Sequence, residues 1–119
     1  MYKAIALLKA KPGLSRERFV AYYERHHVPL ILRFMPQIKD YRRNYVQAHG
    51  AYLAAGVAEL DFDAVTELWY ASEADYRAAM AVLNDPAILK AIADDEAQFL
   101  DRDKTRMFVV EEHATESRL

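Results

Sequence analysis

The most constraining feature of this chain is the order of its hydrophobic patterns, which alternate between strand and helix periods over six elements. Tyr2 to Lys9 (YKAIALLK) reads as a strand and stops at the turn signal Lys11-Pro12-Gly13. Ser15 then stands where a helix N-cap is expected, its hydroxyl free to accept from first-turn amides. The helix pattern runs to Met35. At about 100° per residue, Phe19, Tyr23, His26, Leu30 and Phe34 fall on one stripe, with His27 on its flank near Val20 and Ile31. Pro29 lies inside this helix and cannot donate to the carbonyl of Arg25, so a bend beside both histidines is expected. Pro36 and Gln37 end the helix.

Ile38 to Ala48 has period two, with Tyr41, Arg43, Tyr45 and Gln47 on one face and Arg42, Asn44 and Val46 between them. His49 to Asp61 has no helix cap and contains Gly56. It reads as a long, partly ordered loop, and such loops often cover sites. Phe62 to Tyr70 is a third strand, with Val65 and Trp69 on one face and Leu68 and Tyr70 on the other. Ser72 caps the next helix, which buries Tyr76, Met80 and Leu83. Pro86 opens a second helical segment that buries Ile88, Ile92 and Phe99. Asp101 to Lys104 is a turn, Arg106 to Glu112 a fourth strand, and residues 113–119 a loose tail. The order β-α-β-β-α-β predicts an α+β fold of ferredoxin-like type, one domain over 1–119, with a four-stranded antiparallel sheet. Its helices cover one sheet face. The other face carries large apolar side chains and needs a second cover, so a homodimer with sheets meeting face to face is expected.

Composition narrows the function. A net charge of −2 gives no field to draw nucleic acid or an anionic membrane. No apolar run approaches the ~20 residues of a membrane span. The N-terminal MYKAIALLKAK lacks a small-residue cleavage site and reads as a strand, not a signal peptide. With no cysteine, thiolate nucleophiles and disulfides are excluded, which suits a cytoplasmic location. The chain shows no phosphate loop, dinucleotide fingerprint or serine-centred elbow. Eight tyrosines and five phenylalanines suit an aromatic core or an aromatic pocket.

Four stretches, KPGLSRERFVAYYERHHVPLI, YRRNYV, FDAVTELWY and DDEAQFLD, resemble the EthD domain of the dimeric α/β-barrel superfamily. The resemblance covers roughly Lys9 to Asp101 and rests on the order and spacing of the stretches together. It implies a dimeric α/β barrel and small enzymes without cofactor, including dehydratases and cyclases of aromatic polyketides. Muconolactone methylisomerases share the layout, and other branches are quinol-forming monooxygenases and haem-degrading proteins. The His-x-Pro-Leu signature falls on His27, Val28, Pro29 and Leu30. The resemblance also implies a pocket between the first helix and the sheet, faced by Tyr41 and Arg43. Tyr23 stands where the family usually has an aromatic residue, often Trp.

A histidine titrates near neutrality and exchanges protons at physiological pH. Abstracting a proton beside a carbonyl needs such a base and a donor for the developing oxyanion. His27 is the candidate base, and Tyr41 or Arg43 the candidate donor. The plainer reading makes either histidine a satisfied structural residue. Wheel geometry points His26 inward while the resemblance selects His27, so His26 is kept as neighbour or substitute. Tyr23, Tyr45, Leu68 and Tyr70 complete the expected substrate-binding set, with core packing as the plainer role for the tyrosines. Adjacent histidines diverge by about 100°, and His49 and His113 lie far along the chain, so no metal site is expected. Asp63 and Glu67 share the parity of Trp69. They suit acid/base work less well than an interface with arginines such as Arg106, on a face that Asn44 shares. Asp94-Asp95-Glu96 reads as a solvated helix face or a cap.

The expected function is that of a cofactor-independent lyase or isomerase acting on a small hydrophobic, aromatic or polyketide-like substrate. The alternatives are a cofactor-independent monooxygenase and a non-catalytic dimer that binds a hydrophobic ligand.

Overall fold

A computed structural model describes residues 1–119. Its strands are β1 (Tyr2–Leu8), β2 (Ile38–Tyr45), β3 (Ala64–Tyr70) and β4 (Arg106–Val110). The helices are α1 (Arg16–Tyr22), α2 (Val28–Phe34), α3 (Glu73–Ala81) and α4 (Pro86–Phe99), with a π turn at Tyr23–His27 joining α1 to α2. The strands lie in the order β2-β3-β1-β4 with all pairings antiparallel, which is the ferredoxin-like topology.

Local chemistry explains the boundaries. Ser15 Oγ accepts from the Arg18 amide at 3.2 Å, and Ser72 Oγ from the Asp75 amide at 3.1 Å. Asp85 caps α4 by accepting from the Ala87 amide at 2.9 Å, and Pro86 opens that helix, where its missing N–H costs nothing. The second strand ends at Tyr45 and the fourth at Val110, each short of the sequence expectation. From Ala51 to Asp61 there is no helix or strand, and every residue is exposed.

Helices cover one sheet face. Ala4, Ala6 and Leu8 of β1 and Ala64, Thr66, Leu68 and Tyr70 of β3 point into that layer and are buried. Two apolar clusters fill it. Ile31, Met35, Ile38, Leu68, Tyr70 and Ile92 form one. Phe19, Tyr23, Phe99 and Leu100 form the other.

The first helix departs from its expected phase. Its buried residues are Phe19, Tyr23, His27, Ile31 and Met35, four apart throughout, and His26 is exposed. The expected stripe through His26, Leu30 and Phe34 assumed an unbroken α-helix. Instead the Val28 amide donates to the Tyr23 carbonyl, five residues back. One widened turn cancels the drift of the α-helical period, so residues four apart stay in line. The disturbance expected from Pro29 thus takes the form of a π turn, and Pro29 itself sits in the first turn of α2.

The other sheet face carries Ile5 and Leu7 of β1, Val65, Glu67 and Trp69 of β3, and Phe108 of β4. Lys3 lies toward one end of this face, with its ammonium 2.8 Å from Glu67, 2.7 Å from Glu112 and 4.4 Å from the Trp69 ring centroid. Two sequence expectations change here. Glu67 takes its cation from Lys3 of its own sheet and also accepts from Asn44 at 2.9 Å. Arg106 pairs with Asp61 at 2.9 Å, and Asp63 accepts from the Ala10 amide at 2.7 Å. Strand pairing explains both results, because Arg106 lies opposite Leu7, out of reach of Glu67 beside Ile5.

Candidate active site

The widened turn sets His27 on the inner face of the first helix, where α4 passes. Its Nδ1 lies 2.5 Å from Asp95 Oδ2, and both side chains are buried. The other carboxylate oxygen, Oδ1, accepts from the Tyr22 hydroxyl at 2.9 Å. Burial and the adjacent Asp95 charge push the Tyr22 hydroxyl up to about 12, so it stays a neutral donor. Aromatic rings frame the imidazole. Phe99 lies 4.9 Å away by ring centroid and Tyr23 5.1 Å, edge-on. Gln37 Oε1 is the one fully buried side-chain polar atom without a partner. His27 Nε2, which also lacks one, therefore keeps some contact with solvent.

A carboxylate on Nδ1 holds the proton there and leaves Nε2 with its lone pair, the arrangement a general base needs. The sequence reading places Asp95 on a solvated helix face or in a cap. Its spacing tells otherwise, since Ile88, Ile92, Asp95 and Phe99 share one helical stripe, and an acid on an apolar stripe calls for a buried partner.

The remaining sequence candidates divide among three places. Tyr23 is fully buried, and its hydroxyl bonds Thr66 Oγ1 at 2.6 Å and the Tyr41 hydroxyl at 3.2 Å. Burial pushes Tyr23 up to about 12 and raises Tyr41 further. Arg43 and Tyr45 face the first helix one turn before the imidazole. The Arg43 guanidinium grips Glu24 at 2.9 and 2.6 Å and donates to the Tyr41 carbonyl at 2.8 Å, while Tyr45 donates to Glu24 at 2.5 Å. Arg43 is thus committed to Glu24 and positions Tyr41. Leu68 and Tyr70 pack in the other apolar cluster, with Ile31 and Met35. His26 lies on the outer face, 4.8 Å from the Tyr22 ring. Its groove of about 290 Å³ includes Arg18, Arg25 and Gln98. No three His, Asp or Glu side chains are grouped to hold a metal ion, and no helix is long and apolar enough to cross a membrane.

Arg43, then Tyr45, holds the Glu24 carboxyl below its ordinary value, against the upward pull of burial. A lowered folded-state value gives stability that is present above the unfolded value of about 4.3 and lost as pH falls through the folded one. Glu24→Gln is therefore expected to flatten the loss of stability on acidification. Urea midpoints of both proteins between pH 7 and pH 3 check this; parallel curves would contradict it.

The EthD domain family model matches residues 11–103. No curated protein matches the chain. Among solved structures, an EthD-like protein from Ralstonia eutropha JMP134 is 20% identical, with 98% of this chain and 95% of that one covered and a TM-score of 0.64. An Arabidopsis thaliana protein is 14% identical, covers 98% and 100%, and has a TM-score of 0.65. SnoaB, a cofactor-independent oxygenase from Streptomyces nogalater, is 10% identical, covers 97% and 95%, and has a TM-score of 0.59. At these identities the likeness concerns the fold.

Proposed function

We propose a function from one premise: the chain belongs to the EthD domain family. The reading is a lyase or isomerase that moves protons on a small hydrophobic carbonyl compound, with His27 as acid/base and Asp95 orienting it. One observation carries it, the buried 2.5 Å contact that ties up Nδ1 and leaves Nε2 without a partner. In the reaction, Nε2 takes a proton from the carbon next to the carbonyl, and the electron pair moves to the carbonyl oxygen. The imidazolium then returns the proton, either to another carbon, which isomerises the substrate, or to a departing hydroxyl, which leaves as water. Asp95 holds the imidazolium in place while the charge exists. Tyr41 is the candidate donor to the oxyanion. Its hydroxyl bonds the Tyr23 hydroxyl at 3.2 Å, and the two rings lie 6.5 Å apart by centroid. Phe99, Tyr22 and Tyr23 supply an aromatic wall that suits a flat apolar substrate.

The test uses 2-tetralone, an aromatic ketone with acidic methylene groups, in deuterated buffer. The protein is expected to accelerate deuterium uptake at those methylenes, and folded His27→Asn to fall to the buffer rate. Equal uptake by both proteins, or no acceleration by either, rules the reading out. Oxygen consumption coupled to turnover would replace it with the oxygenase chemistry that SnoaB's name carries.

The same reading has the chain working as a homodimer through the outer sheet face, which carries Ile5, Leu7, Val65, Trp69 and Phe108. An apolar sheet face of this kind calls for cover. Sedimentation is expected to give twice the 13.7 kDa chain mass. Phe108→Asp, which sets a carboxylate on that face, is expected to return the protein to monomers. A monomeric wild type contradicts this.

A further inference from the structure

A cleft of about 930 Å³ lies away from the imidazole, between the Lys9–Arg16 segment and the 46–63 connection. Tyr45 and the almost fully buried Phe19 both line it, their rings 6.1 Å apart and edge to face. Leu53, Leu60 and Phe62 of the connection line the opposite wall. Phe19 precedes His27 by eight residues, about 12 Å along a helix, so a guest in this cleft does not reach the imidazole.

The charges around the cleft are uneven. Lys9, Lys11 and Arg16 face Glu59 and Asp63. Asp63 is already engaged, by the Ala10 amide at 2.7 Å and the Lys9 ammonium at 3.5 Å. Lys11 and Arg16 have no carboxylate partner and Glu59 has no cation, which leaves two free positive charges against one negative in the lining. A volume of this size suits a small organic ligand. A flat ring would lie against Phe19 and Tyr45, and an anionic group would meet the two free cations. Arg16 in particular offers a planar fork that matches a carboxylate.

We infer that this cleft is a binding site for a small aromatic carboxylate, with Phe19 and Tyr45 beneath the ring and Arg16 and Lys11 on the carboxylate. The site shares no residue with the His27–Asp95 pair, so it stands or falls independently of the chemistry proposed there. The exposed apolar connection supplies the wall, which gives the surface leucines Leu53 and Leu60 a role.

The experiment titrates the full chain with 2-naphthoate and, separately, with the neutral isostere 2-naphthylmethanol, following backbone amide shifts by NMR. Naphthoate is expected to shift amides in 9–16 and 46–63. Changing Lys11 and Arg16 together to Gln is expected to weaken naphthoate about fivefold, as two exposed ion pairs would, and to leave naphthylmethanol unchanged. Leu60→Asp is expected to weaken both ligands. Shifts confined to other regions, no binding, or equal naphthoate affinity in the double variant would overturn the assignment. Deuterium uptake by 2-tetralone is read separately, and its failure would leave this site untouched.

Discussion

Asp95→Asn is expected to lower turnover by about 10²- to 10⁴-fold, the range lost when a general acid/base is disabled, while the fold survives. The amide keeps the shape of the carboxylate and can still accept from Tyr22. Its NH₂ group, however, donates to Nδ1 and drives the ring proton to Nε2, which no longer has a lone pair to offer. Asp95→Ala separates geometry from packing. It leaves the Tyr22 hydroxyl and the His27 Nδ1 proton without an acceptor in a buried place, at about 1–3 kcal/mol for each. The asparagine variant should therefore lose activity at near wild-type stability, and the alanine variant should lose both. The check is the rate of deuterium uptake beside the urea midpoint of each variant. An asparagine variant with wild-type rate would remove Asp95 from the mechanism.

Phe99→Ala is expected to cost about 3–5 kcal/mol of folding stability. The ring is fully buried and lies 4.9 Å from His27, 5.0 Å from Tyr22, 5.4 Å from Tyr23 and 5.7 Å from Phe19 by centroid. Truncation leaves a cavity bounded by four rings that cannot collapse onto it. A small domain has about 5–15 kcal/mol in total, so the variant should unfold at a much lower urea concentration. Phe99→Leu fills part of the space and should cost less. A loss below about 1 kcal/mol for the alanine variant would mean that the cluster is not closely packed. Loss of Phe99 also frees the imidazole, so the activity of the leucine variant reports how much the ring wall positions His27.

Much of this was legible from sequence, and what was not has physical causes. The topology follows from the alternation of periods, and Ser15, Ser72 and Pro86 mark helix starts by chemistry that acts within one turn. The orientation of the two histidines was hidden, because a helical wheel assumes one period throughout and a single i→i+5 turn at Tyr23–His27 shifts every later residue. The signature His-x-Pro-Leu pointed to His27, which is buried, whereas the wheel pointed to His26, which is exposed. Asp95 was hidden by its neighbours. Asp94 and Glu96 make the run look solvated, and only the stripe through Ile92 and Phe99 separates the buried acid from them. The pairing of Arg106 with Asp61 depends on where an irregular connection passes the sheet, which no local pattern encodes. The cleft has the same origin, since one of its walls is that connection.

The central claim is that Asp95 holds the His27 proton on Nδ1 and leaves Nε2 as the basic atom. Long-range ¹H–¹⁵N NMR on protein labelled at histidine reads this directly, with no substrate needed. Neutral His27 is predicted to carry its proton on Nδ1, and Asp95→Asn to move it to Nε2. A wild-type ring protonated on Nε2 would contradict the account.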